Sequence, residues 1–150
     1  PSSVSVLSKH ENIIGIKEAV DDESRIKKLV QISKNAENNF SVFSGDDPTF
    51  MDSMLLGTHG VISVSANVSP KSHSEICSAV KNGDYEKARI LNEHNLNLYR
   101  LLFVESNPIP VKWMLYKMNL IKSAIRLPLM ELDGTFHEEI LSEMIKLKLL

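Results

Sequence analysis

The sequence predicts an α/β fold in which parallel strands alternate with helices, followed by a region built of helices alone. Short apolar runs alternate three times with amphipathic stretches before Asn67, and no strand signal follows that residue. A strand–helix–strand order of this kind requires crossover helices and therefore parallel strands.

The run Ile13-Ile14-Gly15-Ile16 is apolar or small throughout, lacks helical spacing and reads as a buried strand leading into Lys17. Residues 22–34 then place Ile26, Leu29, Val30 and Ser33 at helical spacing. Residues 40–43 form the second strand, ending in the polar turn Ser44-Gly45-Asp46-Asp47. Asp47-Pro48 reads as a helix start, with a capping carboxylate before a proline in the first turn. Met51, Met54 and Leu55 lie on that helix and Gly57 closes it. Residues 61–64 give the third strand, which ends at Ser65-Ala66-Asn67. Ser69-Pro70 repeats the cap-plus-proline start, and Gly83 stops the helix.

From Asp84 the pattern changes. Residues 84–103 read as one long helix with Ala88, Leu91, Leu98 and Leu102 among its apolar positions. Pro108 and Pro110 bracket a turn that opens a helix over residues 111–118. Arg126-Leu127-Pro128 is extended, because the residue before proline avoids helix. Asp133 or Thr135 caps a last helix running to Leu149. The expected division is therefore an α/β unit over 1–83 and a helical unit over 84–150.

A parallel sheet of three strands leaves two edges with unpaired backbone groups, which proteins avoid. The chain is thus expected to belong to a larger α/β structure. A (β/α)8 TIM barrel typically takes about 250 residues. Residues 1–83 would be the C-terminal portion of such a barrel, its last three βα units, and residues 84–150 an α-helical C-terminal domain.

Composition sets limits on partners. Hydrophobic residues at 43% and charged residues at 24% are ordinary for a soluble globular protein. A net charge of -2 gives no reason to expect nucleic acid or an anionic membrane as partner. No apolar run is long enough to span a bilayer. Pro1-Ser2-Ser3-Val4 lacks the pattern of a signal peptide and a starting Met, so a processed, cut or engineered piece is expected. The single cysteine, Cys77, excludes an internal disulfide and suits a reducing compartment such as the cytoplasm.

Lys17 carries the sharpest chemical signal. Strand alternation puts Ile13, Gly15 and Lys17 on one face, with Ile14 and Ile16 on the other. A lysine inside an apolar strand loses hydration, which disfavours the ammonium; the neutral amine then attacks carbonyl carbon to form a Schiff base. The plainer alternative is a lysine that snorkels to water or pairs with Glu18. Barrel sites lie at strand C-terminal ends, where Lys17, Gly45 and Ser65-Ala66-Asn67 fall. Gly15 would leave space beneath the lysine, and Gly45 would let a ligand approach the backbone, unless it is a turn glycine alone. Asp46 and Asp47 are adjacent carboxylates, but no His or third carboxylate stands at ligand spacing, so no metal is expected. His10, His59, His73, His94 and His137 are scattered, His59 reading as a loop residue. No phosphate-binding glycine loop, Ser/His/Asp set or nucleic-acid stripe is present, and no cofactor is expected.

Three stretches taken together resemble the dihydrodipicolinate synthase family. Asn12-Ile13-Ile14-Gly15-Ile16-Lys17-Glu18-Ala19, Ser44-Gly45-Asp46-Asp47 and Gly60-Val61-Ile62-Ser63-Val64-Ser65-Ala66-Asn67 are similar to its last three barrel strands. Phe103-Val104-Glu105-Ser106-Asn107-Pro108-Ile109-Pro110-Val111-Lys112-Trp113 and Arg126-Leu127-Pro128 are similar to parts of its helical C-terminal domain. The resemblance implies a class I aldolase-type lyase of lysine and diaminopimelate biosynthesis, homo-oligomeric and typically a homotetramer. It implies that Lys17 forms the Schiff base with pyruvate and that the enamine attacks aspartate semialdehyde. By the same resemblance, Gly45 and Ile62 correspond to backbone positions lining the pyruvate pocket. Val20 and Asp21 depart from the small hydroxyl residue and turn former usual after the lysine motif, and Ser106 replaces a common proline. The threonine, tyrosine and arginine that complete the family's site belong to the first five strands. The chain alone is therefore expected to be inactive and to cover its open edges by self-association. Competing expectations are another pyruvate-dependent aldolase, such as N-acetylneuraminate lyase, and a non-catalytic assembly module.

Overall fold

The computed structural model describes residues 1–150. Strands β1 (Gly15–Glu18), β2 (Ser41–Ser44) and β3 (Gly60–Val61) form one parallel sheet in the order β1-β2-β3. Helix α1 (Ser2–Leu7) precedes the sheet, α2 (Glu23–Asn35) connects β1 to β2, and α3 (Phe50–Leu55) connects β2 to β3. Five helices follow: α4 (Pro70–Lys81), α5 (Tyr85–Glu93), α6 (Leu96–Leu101), α7 (Ile109–Lys117) and α8 (His137–Lys146). The alternating first half and helical second half match the predicted order. No helix is long and apolar enough to cross a membrane.

Helix α2 starts where the extended Asp22 accepts the Arg25 amide at 3.0 Å, satisfying one of the free donors of the first turn. Its Ile26, Leu29 and Val30, spaced three and four apart, turn inward. Leu29 packs with Phe40 and Val42 of the sheet and with Val4 of α1. Sequence periodicity misses α1, because six residues with one buried side chain set up no repeat. A second core joins Phe50, Met51 and Met54 of α3 to Ile76, Ala79 and Val80 of α4, then to Ala88 and Tyr99. Residues on both sides of position 83/84 therefore share it. The third core gathers Val68, Leu98 and Leu102 with Met114 of α7 and Ile140 and Met144 of α8.

Several boundaries differ from expectation. Strand β1 begins two residues late, β2 one late and β3 one early, so that Lys17 lies within β1 and not just beyond it. Only Gly60–Val61 pair as β3, although the Ile62 amide still donates to the Ser44 carbonyl at 2.8 Å. The chain then closes into a single 3-10 turn at Ser65–Asn67. Asp47 is not a helix cap; Thr49 holds that position without a side-chain cap bond. Ser69 makes no side-chain cap bond either, while Pro70 opens α4 as its spacing predicts.

The single helix expected over 84–103 is broken at the buried Asn95. Its side-chain amide donates to the Leu91 carbonyl at 2.8 Å and to Ser72 Oγ at 2.7 Å. The Asn95 backbone amide turns instead to the Asn92 carbonyl at 2.9 Å. The side chain thus takes the carbonyl that an uninterrupted helix would have given to the backbone. Near the C-terminus, Asp133 accepts the Thr135 amide at 2.8 Å and starts a 3-10 turn that feeds α8, which ends at Lys146.

Candidate functional site

The sheet has two unlike faces. Register aligns Lys17 with Phe43 and Phe43 with Gly60, so these three share a row. Gly45 and Ile62, each two residues further along, fall on the same face by alternation. The opposite face carries Glu18, Val42 and Ser44, all buried beneath the helices. Glu18 is held there by Arg25 of α2, whose Nε lies 2.5 Å from its carboxylate, and it also accepts the Ala19 amide. Glu18 is therefore committed away from Lys17.

Lys17 is exposed and makes no salt bridge, so of the two readings of this residue the chain shows the lysine that reaches water, unpaired with Glu18, and not one desolvated by its own strand. The apolar neighbours Ile14 and Ile16 do not shield it, because Lys17 points to the face that no helix covers. Ile62 on that face is likewise 50% exposed.

Gly45 is the residue most tightly coupled to Lys17. A Cβ added at Gly45 would stand 2.4 Å from Lys17 Cε, 2.9 Å from Cγ and 3.0 Å from the Ala19 Cβ. The space beside its backbone is filled by the aliphatic stem of the lysine. The Gly45 amide donates to the Glu18 carbonyl at 2.7 Å, which fixes the turn against the end of β1. Gly15 serves another purpose than the predicted space beneath the lysine. A Cβ there would meet the Ser41 carbonyl oxygen at 2.6 Å, so its missing side chain permits strand pairing.

Beside this face a buried polar network ties the two loops that carry Gly45 and Ile62. Asp47 Oδ2 accepts the Ser65 amide at 2.8 Å. Ser65 Oγ lies 2.6 Å from His73 Nε2, and His73 Nδ1 lies 2.8 Å from the Ser69 carbonyl. A carbonyl only accepts, so the proton is assigned to Nδ1 and Nε2 accepts from the Ser65 hydroxyl. Ser65 Oγ can then accept from Ser63 Oγ at 3.0 Å, which itself accepts the Ala66 amide at 2.9 Å. The His73 ring stacks on Phe50 with centroids 5.6 Å apart and tilts against Tyr99 at 5.9 Å. Burial, and then the charges of Asp47 and Cys77, push the Tyr99 phenol far above its ordinary range. Burial also raises the Cys77 thiol, opposed by Lys81. Asp46 turns elsewhere, its Oδ2 accepting from the Thr49 amide and hydroxyl, so the adjacent carboxylates do not converge. No group of three His, Cys, Asp or Glu side chains is arranged to hold a metal.

The network escaped sequence reasoning. Asp47 before a proline has the appearance of a cap, and nothing in the spacing of Ser63, Ser65 and His73 marks a contact. The usable signal was slight: three polar residues in a stretch that must return to the core.

Comparison with known proteins places these features. Residues 1–147 match the dihydrodipicolinate synthetase family. The 4-hydroxy-tetrahydrodipicolinate synthase of Stutzerimonas stutzeri is 49% identical over 138 residues, covering 92% of this chain and 46% of that protein. The protein of that name from Buchnera aphidicola subsp. Acyrthosiphon pisum is 50% identical over 137 residues, covering 90% of this chain and 46% of its own length. The chain thus spans about half the length of the curated relatives it matches. Among solved structures, a monomeric dihydrodipicolinate synthase variant superposes with a TM-score of 0.95 at 35% identity, covering 100% of this chain and 50% of that one. A chloride-inhibited dihydrodipicolinate synthase from Acinetobacter baumannii, complexed with pyruvate, gives 0.89 at 40% identity, covering 99% of this chain and 50% of that one.

Proposed function

Because this chain belongs to the dihydrodipicolinate synthetase family, we propose that it supplies the Schiff-base half of a pyruvate-condensing lyase. The observation that carries this reading is the contact of Lys17 with Gly45: a flexible primary amine laid across a side-chain-free backbone, at the C-terminal end of a parallel strand.

The chemistry follows from the amine. Neutral Lys17 Nζ attacks the ketone carbon of pyruvate, and loss of water gives an iminium. Its positive charge acidifies the methyl protons, and removal of one gives an enamine. The enamine carbon attacks the aldehyde carbon of aspartate semialdehyde, and cyclisation follows. Gly45 and Ile62 would line the pyruvate pocket through their backbones, and no metal or cofactor enters. The groups that move protons would come from strands of a longer polypeptide that completes the barrel. We therefore assign turnover to that longer protein and expect none from this chain alone. The same reading makes residues 1–83 the last three βα units, residues 84–150 a helical C-terminal domain, and the protein cytoplasmic and homo-oligomeric. Sedimentation at high concentration tests the last point for this chain, a strict monomer counting against it.

Pyruvate and borohydride applied to the completed barrel test the chemistry. The expected result is a reduced pyruvate adduct at Lys17 by mass spectrometry; an unmodified Lys17 in an otherwise folded protein would overturn the assignment.

A further inference from the structure

Helix α7 and the irregular segment after it border a half-open cavity of about 180 Å³ that shares no residue with the Lys17 face. Its apolar wall includes Trp113, Ile125 and Leu132, and its rim carries Lys112, Lys117 and Lys122 against one carboxylate, Glu131. None of the three ammonium groups is paired with an acid. Lys117 Nζ rests over the rings of Trp113 and Tyr116, 5.0 and 5.4 Å from their centroids. Lys112 Nζ donates to the Ala124 carbonyl at 2.8 Å and fastens the segment over α7. Behind them His137 stacks on Trp113 with centroids 4.5 Å apart, its Nε2 lying 3.1 Å from the Leu132 carbonyl.

We propose that this cavity binds a small organic carboxylate, its apolar body inside and its charge at the lysine rim. Size restricts the ligand. A dry cavity of about 150 Å³ accommodates benzene, and drug-sized ligands occupy about 300 Å³ or more. A volume near 180 Å³ therefore takes one six-membered ring or a branched chain of like bulk. Charge fixes its sign: the rim offers three cations without an acidic partner, Lys117 over ring faces and Lys112 on a carbonyl, and a carboxylate is a stronger acceptor than either.

Trp113 is the only tryptophan in the chain, so its emission reports on this wall alone. The full chain is titrated with sodium benzoate at constant ionic strength, beside neutral benzamide. Saturable change in Trp113 emission with benzoate is expected, with benzamide at least about tenfold weaker, the worth of a charge-assisted hydrogen bond. Combining Lys117→Met with Lys122→Met should weaken benzoate by a similar factor without altering the circular dichroism spectrum. Ile125→Phe, which fills the cavity and leaves every charge in place, should abolish saturation. Amide chemical-shift changes confined to α7 and residues 119–137 should accompany binding in the unaltered chain, independent of any variant. Absence of saturation, equal binding of benzamide, or insensitivity to Ile125→Phe would each overturn the proposal.

Discussion

Gly45→Ala isolates the contact on which the proposed chemistry depends. Gly45 does not have the left-handed backbone that would penalise any side chain, so the substitution acts by volume alone. The new methyl would overlap Lys17 Cε at 2.4 Å and Cγ at 2.9 Å, and press the Ala19 Cβ at 3.0 Å. The exposed lysine can swing away, while Ala19 can yield only a few tenths of an ångström. The folding cost should therefore sit at the low end of overpacking, about 1 kcal/mol. The displacement of Lys17 is the larger effect: moving the stem by a methyl radius carries Nζ off its approach line, and misplacement of about 1 Å can cost a hundredfold in rate. Urea unfolding of the chain reads the first quantity. The rate of borohydride trapping of pyruvate at Lys17, in the completed barrel, reads the second. A small stability change with trapping slowed at least about tenfold is expected. Unchanged trapping would show that the Lys17–Gly45 contact does not position the amine. A loss above about 3 kcal/mol, beyond ordinary overpacking, would show that Gly45 serves the fold first.

The buried network and the helix break give further tests. Asp47→Ala leaves the buried Ser65 amide without its 2.8 Å acceptor and should cost about 1–3 kcal/mol by urea unfolding, whereas Asp47→Asn, whose side-chain oxygen can still accept, should recover much of it. Asn95→Ala removes the bonds to Leu91 and Ser72 and should cost about 1–3 kcal/mol, with helical signal gained as the freed Leu91 carbonyl returns to the backbone; an unchanged circular dichroism spectrum would show that Asn95 is not what holds the α5–α6 bend. The Thr135 amide first, and then its hydroxyl, hold Asp133 below the ordinary carboxylate range. Such a depressed group stabilises the fold above its unfolded value, about 3.9, and that contribution fades as pH falls through the folded one. Thr135→Val should therefore raise the Asp133 titration midpoint seen by NMR, and its stability deficit should shrink below about pH 4; a deficit constant with pH would contradict this.

Legibility in the sequence followed the range of the forces involved. Helix α2 was readable because Asp22, Ile26, Leu29 and Val30 each lie about one turn or less from the next, and Gly57 and Gly83 marked helix ends through positive φ values of 111° and 77°. Lys17 and Gly45 could be placed at strand ends by the alternation of elements, whereas Ile62, inside its expected strand, was singled out only through the family resemblance. Asn95 could not be read as a break, because the bond that recruits it to Ser72 spans 23 residues. Asp47 was misread for the same reason: its true partner, Ser65, lies 18 residues on. The exposure of Lys17 stayed open between two readings because an apolar run reports that a strand is buried, but not on which of its two faces.

That last distinction bears on how the lysine can react. The stabilising contacts of the sheet, Glu18 with Arg25 and Val42 with Leu29, all lie on the helix-covered face. Lys17, Gly45 and Ile62 contribute little there, so changes on their face should alter chemistry more than stability. A hydrated ammonium is a poor nucleophile, and Schiff-base lysines are activated by apolar surroundings or by a neighbouring cation. Phe43 and Ile62 share its face but leave Lys17 open to water. Its reactivity must then be set by whatever wall covers that face, while the strand and Gly45 set only its position. Two separable failures follow: a defective wall leaves Lys17 well placed but open to water, and Gly45→Ala leaves it covered but misdirected, so restoring the wall should recover trapping in the first case and not in the second.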